Sequence, residues 1–368
     1  MRAAVLPIQR PHDARLLRVD AAGRIAHHPR TRLAELLAPG DLVIANDAAT
    51  LPASLIGRHL ASGAAIEVRL AGRRSLAVDD VHGFSAVVFG AGDFHTRTED
   101  RPLPPPLRPG DRLALGPLEA TVLRTLAHPR LVEIGFNGSA DAVWAGIARH
   151  GRPVQYAHVA DPLALWDVWT RVAALPVAFE SPSAGFVLDW QLLDAFHARG
   201  IGFATLTHAA GLSSTGDAAL DARLPFDEPY HLPASTLAAI EATHCRGGRV
   251  VALGTTVARA LEHAASLPGG MHAGAGLATN RLGAATRLRV VDALVSGTHE
   301  AGSSHHELLR ALVADETLSR IDAALEAGAY RTHEFGDSVL VEKAQARWNL
   351  KTATPASRLG QTRTALPA

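Results

Sequence analysis

The chain has 368 residues, of which 47% are hydrophobic and 20% are charged, which excludes a disordered or collagen-like protein and predicts a globular one. Its 36 basic residues equal its 36 acidic residues, so no overall charge attracts nucleic acid, and such a partner would need a local basic patch. The one cysteine, Cys245, excludes an intrachain disulfide, an iron–sulfur cluster and a zinc site with two thiolates.

Chains longer than about 250–300 residues usually divide into domains, so we expect two. Residues 1–17 mix charges among their apolar residues and do not read as a secretory signal. No run approaches the roughly 20 apolar residues of a membrane-spanning helix. We therefore expect a cytoplasmic protein without membrane contact.

The predicted elements begin with two short apolar runs, 16–19 and 42–45, which we assign as strands of a larger α/β domain. Between positions 51 and 138, short runs separated by turn residues predict an inserted small β-barrel or sandwich, and we expect the barrel. Its predicted strands are 65–70, 84–89, 112–115, 120–123 and 131–136. The proline-rich stretch 101–110 predicts an extended linker between two strands, since proline cannot donate a hydrogen bond in a central strand.

After about position 177, helical patterns alternate with short apolar strands, which is typical of a mainly parallel sheet covered on both faces. The predicted helices are 190–199, 235–245, 255–266, 304–313 and 318–326, and the strands are 201–206, 249–253 and 287–295. We thus predict an α/β fold in which residues 1–50 and 139–342 form one discontinuous domain around the barrel at 51–138. Residues 343–368 contain five basic and no acidic residues, which predicts a flexible basic tail.

The strongest local signal is a buried strand that runs into Gly254, followed by a helix that begins at Thr255. Unpaired N–H groups and the helix dipole favour an anion at such a start, and the hydroxyls of Thr255 and Thr256 add donors. Arg259 lies on the same helix. Thr255 could instead only cap the helix. The residues alone leave carboxylate or phosphate binding and simple capping equally open.

Two histidine clusters follow predicted strands, at the edge where open α/β sheets bind ligands. His208 lies at the end of one strand, before small residues that leave room for a substrate or that simply bond their own loop. His299 and Glu300 follow another strand and could serve as acid or base. His305 and His306 begin a helix, and we expect them on its solvated face. The His299–His305 spacing has no third ligand nearby in sequence, so we expect no metal site.

One further cluster lies within residues 330–340, where charged side chains surround a glycine. Its members are Arg331, His333, Glu334 and Asp337. We interpret them as a charge-paired turn.

In this order, these blocks resemble the S-adenosylmethionine:tRNA ribosyltransferase-isomerase (QueA) family over nearly the whole chain. The most specific match is 252–262, which is similar to the family's A-V-G-T-T-x-x-R-x-L-E. SPSAG at 181–185 stands where the family has A-P-T-A-G, and GDLVIAND at 40–47 resembles its N-terminal block. Further similar positions are 52–57, 63–68, 290–295, His299, Ser303, Tyr330, Arg331, Gly336 and Asp337.

The resemblance implies an α/β domain with an inserted β-barrel and a reaction of queuosine biosynthesis, a tRNA modification. In that reaction the ribosyl moiety of S-adenosylmethionine moves to 7-aminomethyl-7-deazaguanine in tRNA, which forms epoxyqueuosine and releases adenine and methionine. S-adenosylmethionine is then a co-substrate and tRNA the acceptor, and no metal, membrane or protein partner is expected. A sulfonium acidifies the neighbouring C5′ hydrogens, so one positioned base can start the reaction.

The resemblance also implies two sets of site residues. The substrate-binding set is Ser183, Ala184, Gly185, Gly254, Thr255, Thr256, Arg259, Arg331 and Asp337. The catalytic set consists of His208, the first candidate for the base, with Glu228 and His299 as alternatives.

Several positions depart from the family's pattern. Residues 186–188 stand where the family has L-H-F, and 225–230 keeps Glu228 but lacks a family histidine. Ala49 and Ser54 replace two family arginines. These departures leave two alternatives open. One is ribosyl transfer from S-adenosylmethionine to a different, non-tRNA acceptor, and the other is a non-catalytic relative that binds nucleotide or RNA.

Overall fold

The computed structural model describes residues 1–300 and 302–344, so the predicted basic tail from residue 345 onward lies outside the described residues. The strands are β1 Arg2–Ala3, β2 Arg15–Val19, β3 Ile25–Pro29, β4 Leu42–Asn46, β5 Ala48–Thr50, β6 Ser54–His59, β7 Ala65–Gly72, β8 Phe84–Phe89, β9 Arg112–Leu115, β10 Leu118–Thr125, β11 Leu131–Phe136, β12 Leu175–Ala178, β13 Gly202–His208, β14 Glu228–Leu232, β15 Val250–Leu253, β16 Gly274–Ala278, β17 Ala293–Gly297, β18 Arg331–Thr332 and β19 Ser338–Glu342. The α-helices are α1 Ala140–His150, α2 Leu165–Val168, α3 Trp190–Ala198, α4 Ala218–Asp221, α5 Ala234–Cys245, α6 Thr255–Ser266, α7 Ser304–Leu309 and α8 Asp315–Ala327. Short 3-10 helices lie at Arg30–Leu36, Thr98–Asp100 and Ser183–Val187.

Within the described residues, the largest sheet has nine strands in the order β16-β14-β13-β4-β15-β17-β19-β2-β3. Its centre, β13-β4-β15-β17, is parallel, and antiparallel pairs flank it. All residues of β4 and β15 are buried, as expected for strands covered on both faces. Helices α5 to α8 pack on one face and α3 with the 3-10 helix at Arg30–Leu36 on the other. The protein is therefore an α/β fold with parallel strands at the centre of its sheet.

The inserted barrel closes in the order β10-β11-β8-β7-β6-β9, all antiparallel, and its strands run from Ser54 to Phe136. The five predicted strands are confirmed, and the proline-rich stretch is the extended linker between β8 and β9. Strand β6 was not predicted, because Gly57 and Arg58 interrupt its apolar pattern. The glycine is needed there, since a Cβ at Gly57 would lie 2.0 Å from the Ala114 carbonyl oxygen of β9. The domain boundaries at 51 and 138 remain a prediction.

In the α/β region, the predicted strand at 287–295 is shorter than expected and only its last part belongs to β17, Ala293–Gly297. The expectation of a solvated face for the histidines of α7 is wrong. His306 is buried, with Nε2 3.1 Å from the Asp322 carboxylate of α8, and His305 lines a cavity. Among the described residues, no helix is both long enough and apolar enough to cross a membrane.

Candidate active site

A large cavity, of about 330 Å³, lies where β12, β13, β15 and β17 end. The segments that follow β12, β13 and β15 line it at 180–184, 210–213 and 254–256, and β17 contributes its last two residues, 296–297. Glu228, Arg259, His299 and His305 complete this part of the lining. Parallel strands direct their carboxyl ends to one edge of the sheet, which is where α/β proteins bind ligands. The topology thus gathers segments that are far apart in sequence around one cavity.

The start of α6 forms one wall of this cavity. Gly254 is the N-cap residue with φ 108°, a conformation that favours glycine, so Thr255 is the first helical residue and not the cap. Thr255 and Thr256 line the cavity, and the Asn46 Nδ2 atom lies 3.5 Å from the Thr256 hydroxyl. The first N–H groups of a helix have no intrahelical partner and point outward from its start. This wall can therefore offer N–H and O–H donors to an anion.

Arg259 and Glu228 form a buried ion pair at the edge of the cavity. Arg259 also donates to three backbone carbonyl oxygens. Its Nε atom lies 2.9 Å from the Asn280 oxygen, and its Nη2 atom lies 2.7 Å from the Phe226 oxygen and 2.9 Å from the Ala278 oxygen. Burial raises the pKa of Glu228, and Arg259 only partly offsets this. Because its donors are already engaged, Arg259 holds the wall of the cavity together more directly than it could bind a ligand.

His208 lies behind this ion pair and does not line the cavity. It is fully buried, with its Nε2 atom 3.4 Å from the Glu228 Oε2 atom. Burial and the charge of Arg259 lower the pKa of His208 to about 3, so the ring is neutral at physiological pH. Its contact is with Glu228, which does line the cavity.

Glu180 is a cavity residue that sequence reasoning missed. It is half-buried, and its carboxylate accepts hydrogen bonds from the Tyr156 hydroxyl and, at 2.9 Å, from the Ser213 N–H. Burial raises the pKa of Glu180 to about 7, against the lowering effect of these two bonds. Its position just before SPSAG was a signal, since a charged residue there must lie beside the cavity wall that this segment forms.

His299 and His305 both line the same cavity, and their rings stack on each other at a centroid distance of 4.2 Å. Burial and then the neighbouring His305 hold the pKa of His299 well below its usual value, and burial lowers the pKa of His305 to about 4. Both imidazoles are therefore neutral near pH 7 and can accept or donate a hydrogen bond.

The remaining predicted binding residues divide into two groups. Ser183 and Ala184 line the cavity, whereas Gly185 lies behind them, where a Cβ would be 2.8 Å from the Thr170 Cγ2 atom. Arg331 and Asp337 lie outside both the large cavity and the smaller one beside it. They pair with each other at 3.2 Å, and the Asp337 carboxylate also accepts the Arg331 N–H at 2.8 Å. This confirms the charge-paired turn for these two residues.

A second cavity of about 90 Å³ adjoins the large one. The two share Glu180, Ser181, Ser183, Ser213, His299 and His305. Tyr156, His158, His333 and Glu334 line only the smaller cavity.

Comparison with known proteins places these features in a family. Residues 1–341 match the family model described as a queuosine biosynthesis protein. An S-adenosylmethionine:tRNA ribosyltransferase-isomerase from Thiobacillus denitrificans is 32% identical to the chain over 90% of the chain and 91% of that protein. A protein of the same name from Pelobacter propionicus is 32% identical over 87% of the chain and 90% of that protein. Among solved structures, the S-adenosylmethionine tRNA ribosyltransferase from Thermotoga maritima is 22% identical, with a TM-score of 0.48 over 92% of this chain and 95% of that one.

Proposed function

This chain belongs to the family of queuosine biosynthesis proteins, and on that premise we propose that it is an S-adenosylmethionine:tRNA ribosyltransferase-isomerase. It transfers the ribosyl moiety of S-adenosylmethionine to 7-aminomethyl-7-deazaguanine in tRNA, which yields epoxyqueuosine, adenine and methionine. We place this activity in the cytoplasm, with S-adenosylmethionine and tRNA as its partners.

The observation that carries this proposal is the cavity at the strand ends with the start of α6 in its wall. The donors at Thr255 and Thr256 suit the methionine carboxylate of S-adenosylmethionine, because a helix start favours negative charge. The carboxylates of Glu180 and Glu228 in the same lining suit its positive sulfonium. One end of the cavity thus matches the anionic part of the substrate, and its acidic residues match the cationic part.

For the proton transfer we propose Glu180 as the base. It lines the cavity, and a pKa of about 7 is close to the pH at which a general base works best. The C5′ proton moves to its carboxylate, methionine leaves with the electron pair of the carbon–sulfur bond, and adenine leaves with that of the glycosidic bond and gains a proton. The acceptor amine loses a proton as its nitrogen replaces the ribose ring oxygen on C4′. A new carbon–carbon bond between C1′ and C5′ replaces the glycosidic bond, and the ring oxygen closes the epoxide on C5′, the carbon that methionine leaves.

The three residues favoured on sequence then take other roles. His299, which faces the cavity, is the second choice for the base. Glu228 is held by Arg259, and His208 touches Glu228 but not the cavity, so we assign His208 as a positioning residue.

The test is to mix the protein with S-adenosylmethionine and tRNA that carries 7-aminomethyl-7-deazaguanine, and to measure adenine and methionine by chromatography. We expect release that depends on this tRNA and weakens as salt rises, because salt screens phosphate contacts. Unmodified tRNA is the control. No release in an assay where a characterised relative is active would overturn the proposal.

A second candidate is transfer to a non-tRNA acceptor, which the balanced charge and the residues at Ala49 and Ser54 favour. Ala49 is buried in β5, and the Ser54 hydroxyl donates to Glu67 at 2.8 Å, so neither position offers a cation to phosphate. Adenine release that is independent of tRNA and of salt would support this candidate. Binding of S-adenosylmethionine without any release would instead support a non-catalytic relative.

A further inference from the structure

The smaller cavity brings together three side chains with metal-binding atoms. His158 follows the barrel in sequence, whereas His333 and Glu334 come from the turn between β18 and β19, and His158 and Glu334 are 176 positions apart. One ligand atom from each of the three lies within 4.8 Å of the other two. Among the described residues this is the only group of three or more such side chains that meets this distance.

The contacts within this group are close. The His158 Nε2 atom lies 3.2 Å from the Glu334 Oε2 atom, and the rings of His158 and His333 stack at a centroid distance of 4.3 Å. Two ligands bound at about 2.0–2.1 Å to a tetrahedral ion lie roughly 3.4 Å apart, so one ion can join the three atoms after side-chain movements of about 1 Å. The two rings, which are 20° from parallel, must also tilt so that their in-plane lone pairs converge on the ion. His333 also has a backbone φ of 68°, a conformation that is uncommon for a residue with a Cβ.

The charge of the cavity favours a cation. Its described lining contains the carboxylates of Glu180 and Glu334 and four histidines, and none of the described lining residues is a lysine or an arginine. Two imidazole nitrogens with one carboxylate oxygen suit Zn²⁺ and similar first-row divalent ions. Mg²⁺ and Ca²⁺ prefer sites built from oxygen ligands. The donor set therefore selects the metal class.

We propose that His158, His333 and Glu334 bind one divalent transition-metal ion of the Zn²⁺ type. Three protein ligands leave a coordination position open, as in catalytic rather than structural zinc sites. That position faces the smaller cavity, which shares six of its lining residues with the large one. The ion can thus bind a lone-pair donor of a substrate that enters beside S-adenosylmethionine. This site goes beyond the proposed function, whose chemistry needs no metal, and it replaces the expectation from sequence that there is none.

The test uses the untagged full chain after treatment with a chelator, because a histidine tag would bind the same ions. Co²⁺ is titrated in and its visible absorption recorded, and bound Zn²⁺ is measured by equilibrium dialysis with elemental analysis. We expect one ion per chain, Co²⁺ absorption of a four- or five-coordinate site, and its displacement by Zn²⁺. Less than half an ion per chain, or the weak spectrum of aqueous Co²⁺, would overturn the proposal.

Variants test which residues hold the ion. His158→Ala and His333→Ala are expected to weaken binding by more than about 100-fold, since even outer-shell partners of a metal site are worth 10–100-fold. Glu334→Gln keeps the side-chain size and is expected to weaken binding as well. The matched control is His128→Ala, which removes a histidine 3.2 Å from the Asp217 carboxylate, outside this group. Equal loss in the control and in the His158 and His333 variants would refute the assignment.

Circular dichroism checks that each variant is folded, and Glu334→Gln remains informative if an alanine variant is not. None of these measurements uses S-adenosylmethionine turnover. A failure of the metal site therefore stays distinct from a failure of the proposed transferase.

Discussion

The barrel and the large cavity each bury a glutamate beside arginine, yet the two carboxylates differ in their pKa. In the barrel, burial alone would raise the pKa of Glu67, but Arg69 and Arg101 hold it below its usual value. At the cavity, burial raises the pKa of Glu228 although Arg259 is paired with it, and it raises that of Glu180 to about 7. Both regions bury acids, and only the cavity destabilises their charged forms.

The difference follows from the number of cations close to each carboxylate. Glu67 has two, with Arg69 Nε at 2.7 Å and Arg101 also bonded to it, whereas Glu228 has Arg259 alone. Among the described residues, Glu180 accepts hydrogen bonds from two neutral donors, Tyr156 and Ser213, and from no cation. A permanently ionised acid stabilises a fold, and an acid that titrates near neutral pH can exchange protons with a substrate. The same substitution, glutamate to glutamine, should therefore affect stability in opposite directions at Glu67 and at Glu180, with a smaller loss at Glu228, which has one arginine.

Glu67→Gln is expected to have the largest effect on stability. It leaves Arg69 and Arg101 buried without their anion, which typically costs about 3–5 kcal/mol. Denaturant unfolding at pH 7 measures this loss, while the folded fraction should still bind S-adenosylmethionine. The control is Glu119→Gln, which breaks the exposed pair with Arg112 on the same barrel and should leave the unfolding midpoint unchanged. If both variants lowered the free energy of unfolding equally, the buried ion pairs of Glu67 would be no more stabilising than the exposed pair of Glu119, contrary to this prediction.

Glu180→Gln should instead abolish most activity and increase stability. Loss of a general base lowers kcat by about 10²–10⁴-fold, and S-adenosylmethionine affinity should change far less. Because the folded-state pKa is raised, wild-type stability falls as pH rises from the usual glutamate value towards about 7. The variant lacks that loss, so it should be more stable than the wild type above pH 7. If the Glu180→Gln variant kept the kcat of the wild type, and the kcat of the wild type did not change with pH near 7, the role of Glu180 as the base would be contradicted.

Glu228→Gln should destabilise less than Glu67→Gln, by about 1–3 kcal/mol, because the amide keeps a hydrogen-bond acceptor and Arg259 retains three backbone carbonyl partners. Denaturant unfolding of the two variants side by side measures the difference. A larger loss of unfolding free energy in Glu228→Gln than in Glu67→Gln would contradict the contrast between the lowered pKa of Glu67 and the raised pKa of Glu228.

Thr255→Val should have the smallest effect. It removes one hydroxyl from the cavity wall and keeps the helix, so S-adenosylmethionine affinity should fall by about 1 kcal/mol, or roughly 5-fold. Calorimetric titration measures this change. Thr317→Val, in the first turn of α8 and outside the cavity, is the matched control. Unchanged affinity in Thr255→Val would argue against an anion at this helix start.

Much of the fold was predictable because its signals are local. The strands at 84–89 and 131–136 alternate with turn residues, and the helix at 255–266 begins and ends as its periodicity indicates. Parallel strands that are buried on both faces are continuous apolar runs, so β15 could be predicted from its apolar sequence. Strand β6 was missed because its glycine serves contact with β9, a partner more than 50 positions away.

The candidate site was predictable only in part. Thr255 and Thr256 line the cavity as expected, because they come just after β15 and parallel strands end at one edge of the sheet. Ser183, which the family resemblance implied, lines it as well. His208 also follows a strand, but its side chain is buried behind Glu228. Alternation along a strand assigns a residue to one of two faces and does not say what covers that face.

The sequence by itself therefore determined the α/β architecture, the inserted barrel and the helix start at Thr255, since each depends on residues close together in the chain. Only the tertiary structure decided which acids titrate, because the pKa of Glu180 depends on its burial, on the hydrogen bonds from Tyr156 and Ser213, and on the charge of Glu334. It also decided that His158 meets His333 and Glu334. No spacing in the sequence encodes that meeting, because packing of the turn between β18 and β19 against the segment after the barrel creates it.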